Sequence, residues 1–176
     1  MIFTETKLKG SYIIELEKIE DDRGFFSRSF CEREFDEKSI NSKYVQGNIS
    51  FNNRSGTLRG MHYQSKPYEE VKLVSCTKGK IYDVIVDLRP ESETFRQWIS
   101  VELTDENRKI IYIPKSFAHG FITLVDNAEV MYRMSEFFVE GYGNGVRWDD
   151  PAFAIQWPLK IEVISDRDRN YPDFVF

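Results

Sequence analysis

The segment Ile81-Tyr82-Asp83-Val84-Ile85-Val86-Asp87-Leu88 places Tyr82, Val84, Val86 and Leu88 on one face and both aspartates on the other. That period of two is the signature of a β-strand. It recurs in short runs along the chain: Trp98 to Leu103, Lys109 to Ile113, Phe121 to Leu124 and Val130 to Met134. Turn residues separate the runs, at Lys78-Gly79, Asp105-Glu106-Asn107, Pro114, Asp126-Asn127 and the loop Gly141-Tyr142-Gly143-Asn144-Gly145. Only Cys31 to Lys38 reads as a helix, a short one carrying Phe35 inward. Many short strands with so little helix restrict the chain to an all-β sandwich or barrel. A jelly roll is the expected form, with few short helices and an interior wide enough to hold a ligand.

The 176 residues show no internal repeat, linker or low-complexity tract, so one domain spanning 1–176 is expected. With 14 Phe, 9 Tyr and 3 Trp spread along its length, the chain has the material for a packed core. A net charge of −5 and the lack of a basic run argue against nucleic-acid binding. No apolar stretch reaches the ~20 residues a membrane-spanning helix needs. The start Met1-Ile2-Phe3-Thr4-Glu5-Thr6-Lys7 lacks the layout of a secretion signal. Cys31 and Cys76, far apart, read as two reduced, buried thiols, and a cytoplasmic location is the default.

The chain has two histidines, His62 and His119, and no His-x-His pair, which leaves little from which to build a metal site. One histidine can still move protons. His62 follows Arg59 and precedes Lys72, a pairing suited to an anionic, carbonyl-bearing substrate. On local grounds alone, a lone histidine is more often a core or surface residue than a base. Lys72 interrupts an apolar strand, so it faces either solvent or an anion inside the barrel. His119 sits among Phe117, Ala118, Gly120 and Phe121, a setting for a buried, hydrogen-bonded imidazole. Tyr132 reads as a strand-face aromatic. Asp166-Arg167-Asp168-Arg169 reads as a solvated charge run, and Asp21-Asp22-Arg23-Gly24-Phe25-Phe26 as either a phosphate clamp or a surface hairpin turn.

Taken together, a set of motifs in order along nearly the whole chain resembles the dTDP-4-dehydrorhamnose 3,5-epimerase family. They are Asp22-Arg23-Gly24-Phe25-Phe26, Gln46-Gly47-Asn48 with Ser50, Leu58-Arg59-Gly60-Met61-His62-Tyr63-Gln64, Lys72-Leu73-Val74 and Gly79 to Arg89. The set continues with Ile113-Pro114, Phe117-Ala118-His119-Gly120-Phe121, Val130-Met131-Tyr132, Arg147-Trp148-Asp149-Asp150-Pro151, Trp157-Pro158 and Ser165-Asp166-Arg167-Asp168. The resemblance implies a jelly roll of the cupin type, without metal or other cofactor, working as a homodimer with strands exchanged between subunits.

It also implies a reaction: inversion at C3 and C5 of a nucleoside-diphosphate-4-keto-6-deoxy sugar, in deoxysugar biosynthesis. The carbonyl acidifies the neighbouring C–H bonds, and a base plus stabilisation of the enolate oxygen completes the requirement. By resemblance His62 is the base and Asp168 its carboxylate partner, Lys72 faces the C4 oxygen, and Tyr132 returns a proton from the opposite side. Arg23 and Arg59 hold the diphosphate; Gln46, Gly47, Asn48 and Phe26 contact nucleotide and sugar; His119 and Arg167 complete the pocket. Four positions depart from the family pattern: Arg28 stands in place of a glutamate, Phe137 and Phe138 in place of paired tyrosines, and Gly143 in place of another glutamate. They leave open a different nucleotide or sugar and inversion at C3 alone. A 3,4-ketoisomerase, a non-catalytic sugar-nucleotide-binding barrel and a metal-dependent cupin are the remaining alternatives.

Overall fold

A computed structural model describes residues 1–175. Its strands are β1 (Ile2–Glu5), β2 (Tyr12–Glu15), β3 (Ile19–Asp21), β4 (Gly24–Phe26), β5 (Gln46–Asn52), β6 (Leu58–Gln64), β7 (Lys72–Lys78), β8 (Lys80–Asp87), β9 (Trp98–Thr104), β10 (Ile110–Ile113), β11 (Phe117–Thr123), β12 (Ala128–Met134) and β13 (Gly143–Gly145). Two short helices, α1 (Glu32–Glu37) and α2 (Asp166–Arg169), complete the elements. A six-stranded sheet runs β1-β2-β10-β7-β12-β5 and a five-stranded sheet β13-β6-β11-β8-β9, while β3 and β4 form a separate hairpin. This is the expected all-β jelly roll.

The core explains why the strand pattern was readable and where it was ambiguous. Between the sheets, Val74, Ile111, Ile113 and Val130 meet Ile81, Ile85, Leu103, Phe117 and Phe121. The outer faces are covered as well. Met61, Val84, Val86 and Ala118 pack under Val146, Phe153 and Ile155. Ile14, Leu73, Ile110 and Tyr112 pack under Phe35 of α1, whose ring meets Phe3 edge-on at 5.2 Å. Covering both faces leaves β11 buried at every residue. The apolar face of β8 is therefore the outer one, and its two aspartates point inward with no exposed surface.

Several local expectations change. The glycine-rich loop contains β13, whose Gly143, Asn144 and Gly145 pair with Gln64, Tyr63 and His62. Glycine ordinarily weakens a strand, but a Cβ at Gly145 would fall 2.4 Å from the Tyr171 ring, so no side chain fits there. Strand β2 lies inside its sheet, paired on one side with β1 and on the other with β10 of the same chain. Cys76 is buried, whereas Cys31, just ahead of α1, is only half-buried.

Candidate active site

The two sheets part at one end around a cavity of about 910 Å³, within the range of small-molecule sites. Its position follows from strand polarity. The inward face of β5 is polar, with Gln46, Asn48 and Ser50, and core residues give way to Lys72 on β7, to His119 on β11 and to Tyr132 on β12. Hydrophobic packing fills the rest of the interior, and these polar positions leave it open.

Strand β6 contributes two side chains by an irregular route. Arg59 and His62 are three residues apart, and a regular strand would turn them to opposite faces. The register against β11 slips between the pairs His62↔His119 and Arg59↔Phe121, so one extra β6 residue is accommodated and both side chains face the cavity. Gly60 lies at the slip with φ +134°, and a Cβ there would meet the Gly120 Cα at 2.5 Å. Only paired glycines allow the two backbones this close.

His62 Nε2 lies 2.6 Å from Asp168 Oδ1, and the Gly60 N–H donates to Asp168 Oδ2 at 3.1 Å. Burial by itself raises the Asp168 carboxyl; the hydrogen bond and charge of His62, with bonds from Gly60 and Ser165, outweigh it and hold the group below its ordinary range. An ionised carboxylate only accepts, so Nε2 carries the hydrogen and Nδ1 keeps the lone pair of the neutral ring. The side chain is 40% exposed, which leaves that lone pair within reach of a ligand.

Facing it from the other sheet, Tyr132 is half-buried, and its phenol is pushed above the ordinary value by burial, with Arg59 opposing and Glu70 adding. It therefore stays protonated at neutral pH. Lys72 bridges the walls: Nζ pairs with Glu70 Oε1 at 2.9 Å and donates to the His62 carbonyl at 3.1 Å. The solvent-facing alternative for Lys72 is thus overturned; it is buried because Glu70 neutralises it. Glu70 also accepts from the Gln64 N–H at 3.1 Å. His119 pairs with Asp83 at 2.8 Å, and burial raises the Asp83 carboxyl while the imidazole opposes. The charge-run reading of Asp168 fails as well, since the residue is 4% exposed inside the fold.

The rim is set by side chains that hold backbone. Gln46 Oε1 accepts from the Phe138 N–H at 2.9 Å, and Gln64 bonds the Phe137 carbonyl and the Val139 N–H. Arg167 donates to the Gly143 carbonyl at 2.7 Å. Gln46, Asn48, Arg59, His62, Lys72, His119, Tyr132, Phe138, Gly143, Arg167 and Asp168 thus line one cavity. Gly47, between two lining residues, turns to the other face of β5.

Arg23, Phe26 and Arg28 are not brought to the cavity of their own chain. Arg23 sits at the tip of the β3–β4 hairpin, paired with Asp21 at 2.5 Å and 89% exposed; Phe26 is 72% exposed; Arg28 pairs with Glu34 of α1 at 2.7 Å. Glu70, Asp83 and Gln64 were missed in the sequence reading. The one available signal was Glu70 two residues before Lys72; Asp83 and Gln64 carried none beyond an inward strand position. Among the described residues no cluster of three or more His, Cys, Asp or Glu could hold a metal ion, and no helix is long and apolar enough to cross a membrane.

This geometry agrees with what the chain is similar to. The family model for dTDP-4-dehydrorhamnose 3,5-epimerase matches residues 5–175. A dTDP-4-dehydrorhamnose 3,5-epimerase of Methanothermobacter thermautotrophicus is 44% identical over 173 residues, 96% of this chain and 92% of that one. The crystal structure of a Bacillus anthracis dTDP-4-dehydrorhamnose 3,5-epimerase with TDP and PPi bound superposes with a TM-score of 0.95 at 39% identity, covering 98% and 99% of the two chains. A Legionella pneumophila dTDP-6-deoxy-D-glucose-3,5-epimerase in complex with dTDP-4-keto-L-rhamnose superposes with a TM-score of 0.88 at 38% identity, covering 95% and 89%. The chain belongs to the dTDP-4-dehydrorhamnose 3,5-epimerase family and is an isomerase.

Proposed function

We propose that the protein inverts C3 and C5 of a dTDP-4-keto-6-deoxy sugar through an enolate, with no cofactor, in deoxysugar biosynthesis. The observation that carries this reading is that His62, tied to Asp168, and Tyr132 line one cavity from different sheets, with the Lys72 ammonium on the same cavity. His62 Nδ1 takes the proton from the carbon beside the ketone, and Asp168 stabilises the imidazolium that results. The electron pair moves onto the C4 oxygen, where Lys72 offsets the charge. Tyr132 delivers a proton to the opposite face, and the centre is inverted.

Around this chemistry, Arg59 and Arg167 suit the diphosphate, while Gln46, Asn48, Phe138 and Gly143 frame the nucleotide end and His119 the sugar. Arg23, Phe26 and Arg28 act, on this reading, from a second copy in a homodimer. The exposed Ile19, Phe25 and Phe26 of the hairpin and Ile49 and Phe51 of β5, an outermost strand, support such an assembly. A cytoplasmic setting fits a nucleotide-sugar substrate.

Incubation with the keto sugar in deuterated water tests the reading: deuterium enters C3 and C5. His62→Ala abolishes exchange, a loss of about 10²–10⁴-fold, and Tyr132→Phe impairs inversion at least as much as exchange. Turnover by His62→Ala at the wild-type rate would refute the assignment. Label at C3 alone would narrow the function to that centre, and a shifted carbonyl in the product NMR would identify a ketoisomerase.

A further inference from the structure

The motif Arg147-Trp148-Asp149-Asp150-Pro151 takes no part in the chemistry above, and the cavity does not include it. We propose that Asp150, with Arg147 and Phe174, positions the base: it closes a strap, residues 163–174, across β6 and so fixes the Asp168 carboxylate against His62. The inference rests on the reading of His62 as the base.

The strap is tied at both ends. At its start, Val163 forms a bridge with Thr57 and its carbonyl accepts from the Leu58 N–H at 2.8 Å. At its far end, the Phe174 N–H donates to Asp150 Oδ2 at 2.6 Å, and the Phe174 ring lies 5.1 Å from that of Phe153. Arg147 reaches Asp173 at 2.5 Å from the same side. These ties are unequal. The Arg147–Asp173 pair is largely exposed on its aspartate side, where solvent screens it. Asp150 is 2% exposed and uses its other oxygen on the Ala152 N–H at 2.8 Å, so it is the anchor.

Between the ties lies what the base needs. Asp168 sits on α2, a helix of four residues, and a single turn does not hold its own shape in water. The Ser165 cap on the Asp168 N–H, the Gly60 N–H on Asp168 Oδ2 and the Arg167 bond to the Gly143 carbonyl restrain it locally, and the strap ends add the restraint on the segment as a whole. Tyr171, three residues beyond Asp168, presents its ring edge-on to the His62 imidazole at 6.3 Å and fills the space over Gly145. The anchor shares a frame with the base, because Val146 and Met61 exchange backbone hydrogen bonds at 2.9 and 3.3 Å immediately before Arg147. Releasing the far end would free the segment carrying Arg167, Asp168 and Tyr171, while the lining residues of β5, β7 and β12 stay in place.

The test uses three variants: Asp150→Asn, Phe174→Ala, and a chain ended after Tyr171. With only two histidines in the chain, both imidazole N–H protons can be followed by NMR, and the His119–Asp83 pair serves as an internal control. We expect the His62 signal to be lost while the His119 signal persists. The same variants should lose kcat by about 10–100-fold, the cost of a misplaced catalytic group, with a smaller rise in KM because Arg167 rides on the same strap. Phe174→Leu should restore both. If Asp150→Asn erases both signals, its core has failed, and the shortened chain, which keeps Asp150, decides. A shortened chain with an intact His62 signal and wild-type kcat overturns the proposal, as does loss of both signals from the shortened chain and Phe174→Ala alike. Should the wild-type enzyme catalyse no exchange, the assigned function fails while the imidazole signals still judge the strap.

Discussion

The cavity contains two histidine–aspartate pairs in opposite environments. In the first, Asp168 has partners on both oxygens and its carboxyl is held below the ordinary range, while His62 is 40% exposed. In the second, Asp83 has no exposed surface, its Oδ1 has no hydrogen-bond partner, and its carboxyl is pushed up; His119 is 10% exposed. Identical side chains thus receive different properties from the donors around the carboxylate and from access to the imidazole. The first pair is equipped to hold an imidazolium and exchange protons with a ligand. The second is equipped to stay in place and present one ring edge.

Exchanging the carboxylates for amides should break this symmetry most strongly. Asp168→Asn is expected to lower kcat by roughly 10³–10⁴-fold, because an amide can hold the imidazole in the wrong tautomer and does not stabilise its cation. Asp83→Asn should lower it by about tenfold or less, within the net cost of a typical lost hydrogen bond. Steady-state kinetics on both variants checks this, and equal losses would erase the distinction between the pairs.

Next in size is a change beneath both pairs. A Cβ at Gly120 would lie 2.6 Å from the Met61 sulfur and 2.8 Å from the Arg59 carbonyl. Gly120→Ala should therefore cost about 1–3 kcal/mol in denaturant unfolding, the usual range for overpacking. It should also weaken activity, since the β6 irregularity that turns Arg59 and His62 to one face needs this contact.

The smallest effect is in the pH dependence of stability. Asp168, with its native pKa depressed, contributes stability that is full above the ordinary carboxylate range and lost as pH falls through the native value. Asp83, with its native pKa raised, contributes stability at low pH that is lost as pH rises through the native value. Thermal unfolding between pH 3 and pH 7 should thus show Asp168→Asn losing ground to wild type as pH rises and Asp83→Asn gaining it. About 1 kcal/mol of such a difference corresponds to roughly 2–4 °C in Tm for a chain of this size. Parallel Tm curves for the two variants would show that the environments do not differ as described.

Much of the fold was legible from side-chain alternation, because a strand in a sandwich must sort apolar from polar residues at every step. Strands β8, β9, β10 and β12 and the second half of β11 were found on that basis, and the short helix carrying Phe35 was read as well. Alternation did not say which face of β8 was inner, since both faces are covered. The glycines of β13 carried no strand signal, because pairing there depends on the room that Tyr171 needs. In the site, His62, Lys72, Tyr132 and Asp168 came from ordered motifs. Asp83, Glu70 and Gln64 did not, because their partners lie in other strands or loops.

The sequence by itself determined an all-β chain, the scarcity of histidine and cysteine, and the family to which its ordered motifs point. These depend on local periodicity and residue type, which a one-dimensional string records. Only the tertiary structure decided that Arg59 and His62 share a face, that Lys72 is buried against Glu70, that Asp168 leaves a polar run to meet the imidazole, and that the Arg23 hairpin stands clear of its own cavity. Each of those depends on a register slip, a long-range contact or an exclusion of solvent, and all three arise only when distant segments pack together.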